Sequence, residues 1–337
     1  MGNRKRVAVA AGLVVSLFFL WLALGKLKPE VFFASLQTVQ MGWIVVGAAV
    51  YFGAVLVISL RWQFLLRPIQ AVPLIPLAKI VCVGYMGNNV YPLRAGEALR
   101  IYLLKRNHGV PVPRSTTVVI VERVFDGLVM LAFIFAALLM VDTQSSVINQ
   151  VATFAAPLFF IAMLVFFFLA AQPDLLRRFV KLLTRLLPGR LHDMAEHLSE
   201  EVIHGLEALR SPVNLLGAVI TSFVSWGIEA SVYWIVIHAF GFDLPYAAAL
   251  LTVGTVNLAG LLPAAPGNVG VYEFFVTAVM TTMGIAAESA AAYAIVVHLV
   301  IWLPVTLVGF AFLTRMGMGW SAVTQAQELE ARAAVNG

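Results

Sequence analysis

The sequence predicts an all-α polytopic membrane protein, with about six full spans and two Pro/Gly-broken helical hairpins arranged as an inverted repeat. Three observations lead there. The 337 residues are 61% hydrophobic and only 12% charged, against about 25% charged in an ordinary soluble domain. Apolar runs long enough to cross a bilayer, about 20 residues each, recur along the chain. Two stretches containing Asn, Pro and Gly interrupt those runs with related spacing.

The first span is read at 7–25, after Arg4-Lys5-Arg6. It has the outline of a signal peptide, but Lys26-Leu27-Lys28-Pro29 follows it rather than a small-residue cleavage site, so it is kept as a helix. Further spans are read at 43–66, 115–141, 150–171, 212–240 and 286–314, with hairpins at 74–106 and 247–284, each either spanning fully or re-entrant. Residues 1–320 form one transmembrane domain and 321–337 a cytoplasmic tail. Between 173 and 210 apolar residues recur at Leu175, Leu176, Phe179, Leu182, Leu183, Leu186 and Leu187 with Arg and Lys opposite. That is the pattern of a basic amphipathic helix on a membrane surface. His197, Glu201 and His204 share a helical face there, read as solvated rather than as a metal site. No cofactor is expected. Cys82 is the one cysteine, so no internal disulfide forms.

The pI near 9.5 reflects membrane topology rather than nucleic-acid binding. With the N-terminus in the cytoplasm, the loops at 142–149 and 241–246, which hold no Lys or Arg, face outward. Every loop Lys and Arg other than Lys26 and Lys28, including Lys105, Arg106, Arg114, the arginines of 173–210 and Arg315, then lies on or near the cytoplasmic side, the asymmetry of the positive-inside rule. Both termini are expected in the cytoplasm.

The two hairpins carry the repeat. VGYMGNNVYPLRAGE runs from Val83 to Glu97, and VGTVNLAGLLPAAPGNVGVYE from Val253 to Glu273. Each opens with Val-Gly, passes through Asn (Asn89; Asn257, Asn268), and reaches a Pro with Gly four residues on, then Glu97 or Glu273. Twenty-five residues further, each apolar run holds an ionisable group, Glu122 or His298. The hairpins are entered from opposite faces, the arrangement of many secondary transporters, with repeat A at about 43–141 and repeat B at about 212–314. Broken helices survive in a bilayer only where the freed backbone is buried in protein or lines a wet cavity. Half-helix N-termini there suit an anion.

Charges at membrane depth cost at least about 2.5–3.5 kcal/mol each and mark pairs or transport paths. The candidate substrate-binding residues are Arg61, Asn89, Arg94, Glu97, Arg100, Glu122, Arg123, Asp126, Glu229, Asn268, Glu273 and His298. Glu122 and Asp126 share a helix face, with Arg123 beside them. Arg94 and Arg100 are the natural partners of that cluster, or they hold a phosphate through the guanidinium fork. Arg61 either joins the path or snorkels from a span end. Glu229 and Glu273 have no basic neighbour in sequence, and His298 is either functional or a hydrogen-bonded core histidine.

Three stretches, NVYPLRAGEALR (Asn89–Arg100), ERVFD (Glu122–Asp126) and PGNVGVYE (Pro266–Glu273), together resemble the flippase-like membrane family that includes the transmembrane region of lysyl-phosphatidylglycerol synthases. Arg61-Trp62 fits the same resemblance. It implies a bacterial-type inner-membrane protein that moves lipids between leaflets. The soluble aminoacyl-transfer domain of the lysyl-lipid members is not expected here. The partners it implies are membrane lipids, either anionic phospholipid or a polyprenyl-phosphate-linked lipid, with an envelope-lipid biosynthetic enzyme or a second copy of the chain as further candidates. The expected function is lipid translocation. Two alternatives stay open: a membrane enzyme acting on a lipid-phosphate or glycolipid donor, and a non-transporting scaffold. No Walker, G-x-S-x-G or paired-aspartate metal motif supports the enzyme.

Overall fold

A computed structural model describes residues 3–25, 27–92, 95–141, 156–166 and 211–318, with a few isolated positions between 168 and 182. The amphipathic linker at 173–210, the 142–149 loop, the 321–337 tail, much of the 150–171 span and Arg94 lie outside the described residues.

The described elements are helical throughout. They are α1 (Asn3–Leu24), α2 (Pro29–Gln37), α3 (Met41–Leu66), α4 (Leu74–Val90), α5 (Ala95–His108) and α6 (Val112–Met140). A short α7 (Ala156–Phe166) follows. Then come α8 (Pro212–Ala239), α9 (Tyr246–Ala259), α10 (Val271–Thr282) and α11 (Ala287–Arg315). Prolines set several starts: Pro212 opens α8, and Pro111 and Pro113 frame the first turn of α6, where a missing N–H costs nothing. In α5, Glu97 sits in the first turn and Lys105, Arg106 and His108 in the last, matching the helix dipole at both ends.

Among the described residues three helices, α3, α8 and α11, are long and apolar enough to cross a membrane, and α1 with α2, bent by 84° at the break between them, would make a fourth if the pair is one span. Both expected hairpins are present. The first is α4 and α5, broken after Val90; the second is α9 and α10, broken between Ala259 and Val271. The nine-residue α2, which buries no residue, was not anticipated from sequence.

The bundle is organised by a few contacts. α3 packs along α8. α4 packs on α11, and α9 on α6; each hairpin's arms pack on each other, and each second arm packs on the helix that follows it. Exchanging α3 with α8, α4 with α9, α5 with α10 and α6 with α11 turns each of these pairs into another that is also present.

Glycines permit the closest approaches. A Cβ added at Gly96 would lie 1.8 Å from the Gly84 carbonyl oxygen, and one at Gly309 would lie 2.5 Å from that of Cys82. Small residues let helix backbones touch where lipid supplies no hydrophobic drive. The second break is tighter. A 3-10 turn at Pro266–Asn268 is followed by Gly270, with Gly267 at φ +70, Asn268 at φ +57 and Gly270 at φ +90. α1 covers this break, the Ala265 N–H donating to Ser16 Oγ at 2.7 Å.

Candidate functional site

The two breaks and α3, α6, α8 and α11 enclose a cavity of about 540 Å³, within the range of ligand sites. Glu97, Glu122, Asp126, Glu229, Arg123 and His298 reach its wall, with tyrosines, tryptophans and the amides of Asn88, Asn89, Asn257 and Asn268 between them.

Its floor is an ion-pair network. Arg61, from α3, is 2% exposed. One guanidinium nitrogen donates to Asp126 Oδ1 at 2.6 Å and to Ser222 Oγ at 3.3 Å; the other binds Glu122 Oε1. The Trp62 indole N–H donates to Glu122 Oε1 at 2.9 Å, and that of Trp226 to Asp126 Oδ1 at 2.7 Å. Arg100 reaches Glu122 Oε2 at 3.1 Å and lies over the Trp62 ring, 4.8 Å from its centroid. Both carboxylates thus gain the several charge-assisted bonds that a buried charge needs.

Arg123 stands apart. Its side chain is 40% exposed, and it touches Glu97, Glu122 and Asp126 at 3.4, 3.6 and 3.6 Å. Glu97 starts α5, so Arg123 joins the first break to α6. The second break has a corresponding pair. Glu273, in the first turn of α10, accepts from the Gly270 N–H at 2.5 Å through Oε2, while Oε1 meets His298 Nδ1 of α11 at 2.6 Å. The His298 ring stacks on Tyr272 with centroids 4.0 Å apart, and the Tyr272 hydroxyl donates to that of Tyr233 at 2.6 Å.

The remaining candidates fall as follows. Asn89 donates to Thr306 Oγ1 at 2.8 Å, tying the first hairpin to α11. Asn268 takes the left-handed backbone position at the second break and reaches the cavity wall. Glu229 is buried on that wall, which Asn257 also lines, and forms no ion pair among the described residues.

The structure decides between the alternatives left open for two arginines. Arg61 does not snorkel; it is the centre of the network, because the Glu122–Asp126 face of α6 turns toward it. Of the two places read for Arg100, the ion-pair cluster and a phosphate, it takes the first, being buried behind the wall and committed to Glu122. The half-helix N-termini are also already engaged: Gly96 N–H donates to Asn88 Oδ1 at 2.9 Å, and Gly270 N–H to Glu273. Sequence reading did not single out Trp226, Ser222, Asn88 or Tyr233. Trp226 was within reach, since it precedes Glu229 by three residues and so shares its helix face. Among the described residues, no group of His, Cys, Asp and Glu could hold a metal.

Apolar helices built around a buried, charged cavity define a polytopic integral membrane protein. The chain belongs to the family described as Lysylphosphatidylglycerol synthase TM region, whose family model matches residues 9–309. It is 25% identical to the glycosyltransferase AglD of Haloferax volcanii, over 90% of this chain and 54% of that protein. A UPF0104 membrane protein of Methanothermobacter thermautotrophicus is 24% identical over 89% of this chain and 90% of the relative. Another, from Methanocaldococcus jannaschii, is 23% identical over 66% and 90%. The chain thus spans about half the length of AglD and most of the UPF0104 relatives.

Proposed function

We propose that this protein is a lipid translocase of the cytoplasmic membrane, passing a polar headgroup through the cavity between the two broken hairpins while the acyl or prenyl tails stay in lipid. One observation carries the reading: a polar cavity of about 540 Å³ lies at both helix breaks of an otherwise apolar bundle. Irregular backbone at membrane depth belongs where it lines a path.

The exchange of packing partners supports a repeat, α3–α6 against α8–α11; the distribution of Lys and Arg in the loops is what makes it inverted, with hairpins entering from opposite faces and both termini in the cytoplasm. The Glu97–Arg123 and Glu273–His298 pairs then occupy corresponding places. A phosphate-bearing headgroup meets Arg123, the half-exposed guanidinium of the wall, while Arg61 and Arg100 hold the carboxylates of the floor in place. Glu97 and Glu229 meet cationic or hydroxylated parts of the headgroup.

Flipping of fluorescent lipids in proteoliposomes tests this. Headgroup-selective flipping that Arg123→Ala lowers at least about tenfold, in line with losing a charge-assisted contact of about 1.5–3 kcal/mol, supports it. No flipping of any anionic phospholipid or polyprenyl-phosphate lipid would count against it. The printed name of AglD favours a second reading, a membrane enzyme using a lipid-linked sugar donor. Metal-dependent turnover of such a donor by the purified chain would select that reading instead.

A further inference from the structure

We propose that the Glu273–His298 pair is a proton-binding site that couples proton movement to the opening of the second helix break. This rests on the translocase reading and supplies its energy source.

The geometry separates the two nitrogens of His298. Nδ1 is held by Glu273 Oε1 at 2.6 Å. Nε2 has no hydrogen bond among the described residues, and the ring reaches the cavity wall. With Nδ1–H donating to Glu273, Nε2 keeps its lone pair free to take a proton from water in the cavity and to return it there. No other bond forms or breaks. Tyr272, stacked at 4.0 Å, fixes the orientation of the imidazole ring.

The same carboxylate also closes the break. Glu273 Oε2 accepts from Gly270 N–H, so Glu273 ties the start of α10 to α11. The Glu273 carboxylate makes this bond charge-assisted in either state; protonation of His298 adds the attraction of a full ion pair to it. Proton loss loosens the tie. The corresponding pair on the first hairpin is Glu97–Arg123, whose arginine does not lose its proton. One half of the molecule therefore holds a fixed latch and the other a switchable one.

Few other ionisable groups face the pair. α8 supplies Glu229 and Tyr233, α10 Tyr272, and α11 Tyr293. Tyr51 of α3 and Tyr85 of α4 lie around Glu229. Lys79 of α4 is over Phe312, far along α11. Tyr246 of α9 bonds the Gly227 carbonyl. Glu30 lies on α2, which joins α11 near Ser289. α1 has no ionisable side chain from Val7 to Leu24. His298 is the member of this set that both reaches the cavity wall and bonds the carboxylate of the break.

Cys82 is buried and is the sole cysteine, so a thiol placed at the exposed Val269 of the second break can be read alone. The test compares maleimide labelling of full-length Val269→Cys with Val269→Cys carrying His298→Gln, from about pH 5 to about pH 8. The ratio of the two rates cancels the thiol's own ionisation. It is expected to rise about threefold or more with pH, as the tie loosens, while Glu273→Gln makes labelling fast and removes the His298-dependent slope. Should His298→Gln not fold, Glu273→Gln is the comparison. A ratio constant across pH overturns the site. Flipping of fluorescent phosphatidylglycerol is then measured over the same range. A slope that His298→Gln abolishes supports coupling, and an unchanged slope overturns it. A pH-dependent ratio without any flipping upholds the proton site and sinks the translocase reading alone.

Discussion

Arg61 is held by two carboxylates and a serine and is itself buried. Its removal leaves Glu122 and Asp126 short of a counter-charge, and breaking a buried pair from one side costs about 3–5 kcal/mol. Arg61→Ala is therefore expected to lose that much stability in detergent, a large fall in Tm. Trp62→Phe, which deletes one indole N–H donor to a charged acceptor, is expected to cost less, about 1.5–3 kcal/mol. Equal stability of Arg61→Ala and wild type would show that the network is not structural. Arg123 makes only longer contacts and is 40% exposed, so its substitution is expected to spare folding and reduce transport. Glu122, Arg123 and Asp126 could be recognised in sequence because three ionisable groups crowd one turn of an apolar run. Arg61 could not be placed: its partners lie 61 and 65 residues away, and a span-end arginine has the look of one that snorkels.

At the scale of elements, the hairpins depend on glycine. Gly96 faces Gly84 so closely that any side chain must push α4 and α5 apart, whereas a Cβ at Gly127 on α6 meets nothing within 4 Å. Gly96→Ala is expected to destabilise by about 1–3 kcal/mol or more through overpacking. Gly127→Ala is expected to be neutral or mildly stabilising, since alanine is the better helix former. Thermal unfolding of the two side by side checks this, and equal behaviour would mean the hairpin arms are not tightly packed. Both breaks were legible because Pro and Gly have one local meaning in an apolar run: the helix stops. α2 was not. PEVFFASLQ is short and packs only Phe32 and Leu36 partway into the core, so it lacks the length by which a helix announces itself. The direction in which Arg100 points was equally hidden, since helix rotation is set by what packs on α5, not by α5's own sequence.

Across the whole molecule, packing partners exchange between α3–α6 and α8–α11, and the cavity lies where the two sets meet. The likeness of the two hairpins in sequence is faint: Glu97–Arg123 and Glu273–His298 each join the first turn of a second hairpin arm to the helix that follows, but with different residues. That difference gives the halves unlike chemistry, one with a permanent cation and the other with a histidine. The proposed path through the space between them would engage residues from both. The most direct measurement is flipping of headgroup-labelled phospholipid and polyprenyl-phosphate lipid in proteoliposomes holding wild type, Arg123→Ala or Glu229→Gln, each verified as folded. Selective flipping by wild type, reduced about tenfold or more in Arg123→Ala and lowered in Glu229→Gln, is expected. Flipping at wild-type rates in both variants, or none in wild type, would contradict a path through this cavity.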